Sequence, residues 1–238
     1  MPKGTREKFK TEHSVFDEFT NRNIHKLMSE GHIEGLVGPV KVGKESNVFK
    51  ALNKDRTPVI VKIYRLENCD FNRMYDYIKY DPRYLNVKPR KRQVIFAWTQ
   101  REFRNLHKAR DAGCRVPTPL TVKENILVEE FIGGKEPARQ LKDLMPKNPK
   151  SFFEDIMANI KKLYKLGLVH ADLSAFNILN HDELPVFIDF SQSTPLENPR
   201  SLHYLQRDIH NICTYFKKIG FAADEEKAFR KITLKKKA

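Results

Sequence analysis

Three side chains within residues 170–189 have the types and order needed for metal-assisted group transfer. Asp172 comes first, Asn177 five residues on, and Asp189 twelve residues beyond that. A carboxylate can take the proton of an attacking hydroxyl. An Asn and a second carboxylate supply the hard oxygen ligands that magnesium prefers, with waters and phosphate oxygens completing its shell. Phosphoryl transfer asks for these roles, because its transition state spreads negative charge over oxygens that metal ions neutralise. The flanking pattern can position them. Leu166-Gly167-Leu168-Val169 ends a helix on Gly and enters an apolar run. Ile178-Leu179 and Val186-Phe187-Ile188 read as short strands around a turn at 180–185. An ordinary buried hairpin could carry any one of the three residues at a turn. The ordered trio instead predicts Asp172 and Asp189 as catalytic and Asn177 and Asp189 as metal ligands.

A phosphate grip is expected upstream. Lys41-Val42-Gly43-Lys44-Glu45-Ser46-Asn47-Val48 stands at the position of a glycine-rich loop but keeps one glycine only. Its candidate nucleotide contacts are Val42, Gly43, Lys44, Ser46 and Val48. Val59-Ile60-Val61-Lys62-Ile63-Tyr64 follows as a β-branched run with a lysine inside it. A charge in an apolar strand is costly without a partner, and phosphate oxygens together with a helix carboxylate would supply one. Glu102 is the candidate, on a helix marked by Trp98, Phe103 and Leu106. The plainer alternatives are a Lys on an exposed edge strand and a solvated Glu. Next, Ile126-Leu127-Val128-Glu129-Glu130-Phe131-Ile132 runs into Gly133-Gly134. It reads as the connection between two lobes, with the main chain of Glu130 and Ile132 meeting the adenine edge of ATP.

Taken together these motifs resemble the RIO kinases, an atypical serine/threonine protein kinase family of archaea and eukaryotes. The resemblance runs over about 16–221. Its marks are G-K-E-S-N-V at 43–48, H-A-D-L-S-x-F-N at 170–177 and Ile188-Asp189-Phe190-Ser191-Gln192-Ser193, with Asn198-Pro199 and Arg207-Asp208-Ile209 beyond. The I-D-x-S-Q-S string and the short stretch before the loop resemble the first, archaeal-type RIO branch. Lys41-Val42 replaces the Ser-Thr usual there, and Ala175-Phe176 replaces Glu-Tyr. The resemblance implies ATP with Mg2+, or Mn2+, as cofactors. It implies a protein kinase activity, or an ATPase activity through an aspartyl phosphate on Asp189 with Asp172 orienting the attacking group. It also implies a role in maturation of the small ribosomal subunit, with the pre-ribosomal particle or its RNA as partner.

The elements that must hold these residues follow. The expected fold is α+β and two-lobed, protein-kinase-like, with a truncated large lobe lacking an activation segment and peptide-binding helices. After Asp189 the chain reads Phe190-Ser191 and has 49 residues left. Residues 1–36 form a helical N-terminal element, with a helix over 20–28 turning Ile24 and Leu27 inward. Residues 37–132 form the nucleotide lobe, and 133–238 the catalytic and metal-binding lobe, with helices near 152–166 and 202–218.

Composition narrows the classes. The chain has 238 residues, 40% of them hydrophobic, enough for one sizeable two-lobed core. It contains neither a signal-type leader nor an eighteen-residue apolar run, so a cytoplasmic, membrane-free protein is expected. Three distant cysteines fit reduced thiols. Lys and Arg number 44 against 30 Asp and Glu, a net charge of +14, which favours polyanion partners. The densest cluster lies in an insertion at about 67–97: Lys79, Arg83, Lys88, Arg90, Lys91 and Arg92, interleaved with Tyr75, Tyr77, Tyr80, Tyr84 and Phe96. It reads as a flexible loop whose rings stack on RNA bases, or else as a solvated basic loop with its aromatics tucked into the lobe. RIO kinases resemble this, and some phosphorylate a serine in the loop, but residues 66–99 contain no Ser. Two other functions compete: a small-molecule phosphotransferase of the aminoglycoside or choline kinase type, and a non-catalytic RNA-binding scaffold.

Overall fold

Asp17 starts the first helix. Its carboxylate accepts from the Thr20 N–H at 3.0 Å and from the Thr20 hydroxyl at 2.7 Å. Helix α1, Glu18–Ser29, buries Thr20, Asn23, Ile24 and Leu27 and gives way to Gly31 at φ +77°. The computed structural model describes residues 16–67 and 69–234.

Alternating apolar runs then build a five-stranded antiparallel sheet of order β1-β2-β3-β5-β4. Its strands are β1 Gly35–Val42, β2 Ser46–Leu52, β3 Pro58–Tyr64, β4 Pro119–Lys123 and β5 Ile126–Glu130. Strand β1 thus begins two residues before the expected lobe boundary. One sheet face packs Val59, Val61, Ile63, Ile126 and Val128 against Ile24, Leu27 and Ile33. Val48 and Leu127 are the register partners of Lys62. Side chains of directly opposed residues share a face, so the opposite face carries Lys62.

The insertion is not the flexible loop that the resemblance to RIO kinases implies. It forms helix α2, Phe71–Ile78, a 3₁₀ turn at Pro82–Tyr84 and the start of the long helix α3, Lys91–Asp111. Met74, Tyr77, Ile78 and Tyr84 are buried in the larger core cluster, and Asp81 is completely buried. Tyr77 stacks on Tyr204 at 5.4 Å and Phe96 on Phe19 at 5.5 Å. Of the five candidate rings for base stacking, Tyr75, Tyr77, Tyr84 and Phe96 pack on the core and Tyr80 is half-buried; this is closer to the tucked-in reading, although Tyr77 packs on Tyr204 of the large lobe rather than within the small one. Four of the six cations are engaged too. Lys79 pairs with Asp76 at 2.5 Å, Arg83 with Asp81 at 2.6 Å, and Lys91 donates to the Glu67 carbonyl. Arg92 lies over the Phe19 ring.

Past the hinge come β6 Arg139–Gln140, α4 Pro149–Lys165, β7 Leu168–Val169, β8 Ile178–His181, β9 Leu184–Phe187, β10 Thr194–Pro195, α5 Ser201–Lys218 and α6 Glu225–Thr233. Strands β6-β8-β9 form one small sheet, and β7 pairs with β10. The expected strand at 186–188 stops at Phe187, because the Ile188 N–H turns to the Asn177 carbonyl at 3.0 Å. From Asp189 the chain passes through β10 directly to α5, with no long activation segment between them. The fold is thus the two-lobed, kinase-like α+β architecture with a reduced large lobe. Among the described residues no helix is long and apolar enough to cross a membrane.

The hinge depends on Gly133. It has φ +148°, and an added Cβ would sit 2.3 Å from the Glu136 carbonyl oxygen and 2.8 Å from the Ala138 nitrogen. Gly133→Ala should lower stability by roughly 1–3 kcal/mol. At Gly134 a Cβ would meet open space, so Gly134→Ala should leave the thermal unfolding midpoint nearly unchanged. Equal midpoints for the two variants would refute this account of the hinge.

Candidate active site

The Lys62 ammonium lies where three elements meet. Strand β3 delivers it, 6% exposed. Its Nζ is 2.7 Å from Glu102 Oε1 on α3 and 2.9 Å from Asp189 Oδ1 just past β9. The Tyr64 hydroxyl donates to Glu102 Oε2 at 2.5 Å, and the Ser191 hydroxyl to Asp189 Oδ1 at 2.7 Å. Burial alone would push the Lys62 pKa down, but the charges of Asp189 and Glu102 outweigh it and hold the pKa well above the ordinary lysine value. Burial would likewise raise the Asp189 carboxyl, and Lys62 with the Ser191 hydrogen bond reverses this, holding it well below the usual carboxylate range. Asp189 therefore stays ionised, with Oδ2 free of these bonds.

The loop carrying Asp172 and Asn177 is fastened from α5. The N–H groups of Ala171 and Leu173 donate to the Asp208 carboxylate at 2.8 and 2.9 Å. Arg207 donates to the Ala171 carbonyl, and Asn211 to that of Leu173 at 3.2 Å. The grip is needed because Ala171 stands at φ +64°, as does Asp189, a region costly for residues with a Cβ. His170 is buried, which lowers its pKa to about 4 and keeps it neutral; its Nε2 lies 3.1 Å from the Ile188 carbonyl oxygen. Asn177 Nδ2 donates to the Asp172 carbonyl at 2.8 Å and to Asp172 Oδ2 at 3.2 Å. That orientation leaves Asn177 Oδ1 for a cation. Burial, and after it the nearby charge of Asp189, raise the Asp172 pKa to about 6.

A cleft of ≈ 740 Å³ opens over these groups. Gly43, Ser46, Val48, Lys62, Glu130, Ile132, Asn177 and Asp189 line it, whereas Val42, Lys44, Glu102 and Asp172 do not. For Val42 and Lys44 the reason is strand geometry: β1 runs through Val42, which is 66% exposed, and the loop is reduced to a tight turn. Gly43 closes that turn, its N–H donating to the Ser46 carbonyl at 3.0 Å; a Cβ there would lie 2.8 Å from the same oxygen. At the hinge the Glu130 N–H donates to the Thr118 carbonyl and the Ile132 carbonyl accepts from Ala138. The Ile132 N–H and the Glu130 carbonyl are thus the candidate base contacts.

Several supporting residues were not assigned roles from sequence. Tyr64 and Ser191 orient the two carboxylates, and Asp208 was visible only as part of the R-D-I string. Arg101, fully buried, donates from Nε to Asp81 at 3.0 Å and from NH1 to the Ser191 carbonyl at 2.8 Å. One turn on, Asn105 donates to the carbonyls of Phe190 and Ser193 at 3.1 and 2.9 Å. No local pattern announces these contacts, because they join residues between 20 and 90 positions apart. Among the described residues no group of three or more His, Cys, Asp or Glu could hold a metal. The pair Asn177 and Asp189 suits magnesium, which is commonly bound by one or two protein oxygens plus substrate phosphates.

A strand lysine fixed between a helix glutamate and an ionised aspartate, under a hinge and beside an Asp–Asn loop, defines a protein-kinase-like phosphotransferase. The RIO domain family matches residues 47–229. The chain belongs to that family, the RIO-type serine/threonine protein kinases. It is 41% identical over 228 residues to the RIO-type serine/threonine-protein kinase Rio1 of Haloferax volcanii, covering 95% of this chain and 79% of that protein. It is 40% identical to the Rio1 of Methanocaldococcus jannaschii, covering 95% and 78%. Among solved structures it is similar to the Rio2 kinase of Chaetomium thermophilum in its ADP/Mg2+-phosphoaspartate complex. There the TM-score is 0.69 at 22% identity, over 90% of this chain and 66% of that one, a likeness of fold.

Asp208 provides a test of how the loop is held. Asp208→Ala strands two buried N–H donors, each worth about 1–3 kcal/mol. Stability should fall by that order, and turnover should fall further than it does when a surface residue of α5 such as Gln206 is replaced. Unfolding midpoints and initial rates check this; full activity in Asp208→Ala would show that the loop is held by something else.

Proposed function

We propose that this chain transfers the γ-phosphoryl group of ATP, as an atypical serine/threonine kinase or as an ATPase, in maturation of the small ribosomal subunit. The carrying observation is the Lys62 ammonium facing the cleft between Glu102 and Asp189. In that position Lys62 can hold phosphate oxygens while Glu102 fixes its direction. Asn177 Oδ1 and Asp189 Oδ2 are the ligands for Mg2+, or for Mn2+ with similar oxygen preference. Bound there, the metal would neutralise charge on the phosphates. Asp172, with its raised pKa, is placed to accept the proton of an attacking serine hydroxyl or water. Asp189 itself is the candidate acceptor for an aspartyl phosphate, a reading that the phosphoaspartate of the Chaetomium Rio2 complex supports. Hydroxylamine-labile label on the protein after incubation with γ-labelled ATP would mark the aspartyl route, and acid-stable phosphoserine the kinase route.

A cytoplasmic setting belongs to this reading. Cys69, Cys114 and Cys213 are buried free thiols, and burial raises each to about 11.

The site makes a direct demand. Asp189→Ala removes a metal ligand and the Lys62 partner together, and turnover should fall by about 10²-fold or more. Lys62→Met should lose turnover on a similar scale while adenosine, held by main chain, still binds. Near-parental rates for Asp189→Ala would overturn the site assignment.

The net charge of +14 supports an RNA-bearing partner. In the cluster first singled out, Lys88 and Arg90 are exposed and their side chains pair with none of the described residues. Replacing both with Gln should weaken RNA binding and flatten its salt dependence by about one unit of slope per lost phosphate contact, leaving intrinsic ATP turnover intact. An unchanged slope would move the contact surface elsewhere on the protein.

A further inference from the structure

One carboxyl in the cleft has no part in the chemistry above. Glu129 is 9% exposed and lines the cleft, and its side chain forms no hydrogen bond or ion pair with the described residues. The sheet register fixes its place. Glu129 opposes Ile60 on β3, two residues from Lys62, whose own partner is Leu127. Opposed pairs share a face and alternate residues return to it. Glu129 therefore projects from the same face as Lys62, one residue before the hinge main chain of Glu130.

With no protein partner and a place on the cleft wall, this carboxyl is available to a bound ligand. Burial, followed by the charge of Glu102, raises the Glu129 pKa to about 8, although Lys62 opposes the shift. That shift favours the neutral acid. A protonated carboxylic acid offers one donor and one acceptor, the pair that a Gln amide offers. An adenine whose N1 edge rests on the Glu130–Ile132 main chain turns its N6/N7 edge toward the back of the cleft. That edge carries an amino donor beside a ring-nitrogen acceptor, and it is the edge that Gln reads bidentately in nucleic acids. A 6-oxo purine presents two acceptors there and leaves one Glu129 atom unmatched.

We propose that Glu129 is a specificity-determining residue that reads the N6/N7 edge of adenine and selects ATP over 6-oxo purine nucleotides. The inference rests on the nucleotide-site reading of the cleft. It differs from that reading in what it requires: discrimination at one edge of the base, rather than binding or turnover as such.

The test compares ATP, 7-deaza-ATP and inosine triphosphate on the full chain and on Glu129→Gln and Glu129→Met, by dissociation constant and by kcat/KM. The parent should prefer ATP to either analogue by about tenfold, the scale of one net hydrogen bond. Glu129→Gln, which keeps the donor–acceptor pair, should retain that order of preference. Glu129→Met, similar in volume but apolar, should bring ATP and 7-deaza-ATP within about twofold of each other, while inosine triphosphate stays weaker because its N1–H and O6 mismatch the hinge N–H and carbonyl. A parent that binds ATP and 7-deaza-ATP equally overturns the inference and leaves the nucleotide site standing, and that comparison needs no variant. Retained preference for ATP over 7-deaza-ATP in Glu129→Met overturns it as well. A parent that binds none of the three overturns both readings.

Discussion

A buried ammonium dictates much of this architecture. Lys62 is nearly inaccessible to water, and a charge so placed costs several kcal/mol unless it is well paired. Its partners come from residue 102, on the helix after the insertion, and from residue 189, beyond the hinge and the catalytic loop. The sheet, helix α3 and the turn after β9 must therefore close on one point. Tyr64 and Ser191 then take up a second bond on each carboxylate, so that neither can rotate away without breaking a pair. The cleft inherits its polarity from this arrangement. An ionised aspartate, a fixed lysine and the oxygen of Asn177 all face the same volume.

The chemistry was legible in the sequence where residue type and order are together restrictive. Asp172, Asn177 and Asp189 are hydrophilic residues at set intervals between short apolar runs, and Lys62 is a charge inside a β-branched strand. Both patterns are costly to maintain without a reason. Glu102 could be read from helical spacing because α3 is long and its buried stripe regular. What stayed hidden depends on distant pairing. Arg101 looks like one more cation on a charged helix, yet it is fully buried because Asp81 and the Ser191 carbonyl meet it there. The carboxyl of Asp208 is satisfied by two N–H groups from another element, which no window around residue 208 can show.

The insertion shows how composition misleads. Its density of Tyr, Lys and Arg matches an RNA-contacting loop, and the apolar signal is thin. Met74, Tyr77 and Ile78 nevertheless fall three and four residues apart, on one face of a short helix, and that face is buried. Val42 and Lys44 were misplaced for a related reason. A glycine-poor phosphate loop leaves little slack, so strand β1 continues through Val42, and that side chain points outward.

The Arg101 network has a consequence for the placing of α3. Its guanidinium ties α3 to the insertion through Asp81 and to the segment after Asp189 through a backbone carbonyl, entirely out of contact with water. Swinging α3 outward would strip the desolvated guanidinium of both partners, a penalty of about 3–5 kcal/mol, while Asp81 would keep Arg83. An equilibrium burdened by that penalty keeps the displaced form below about one molecule in a hundred. Enzymes switched by rocking this kind of helix need the two positions nearly balanced. Here the buried pairs hold α3 in the position that brings Glu102 to Lys62.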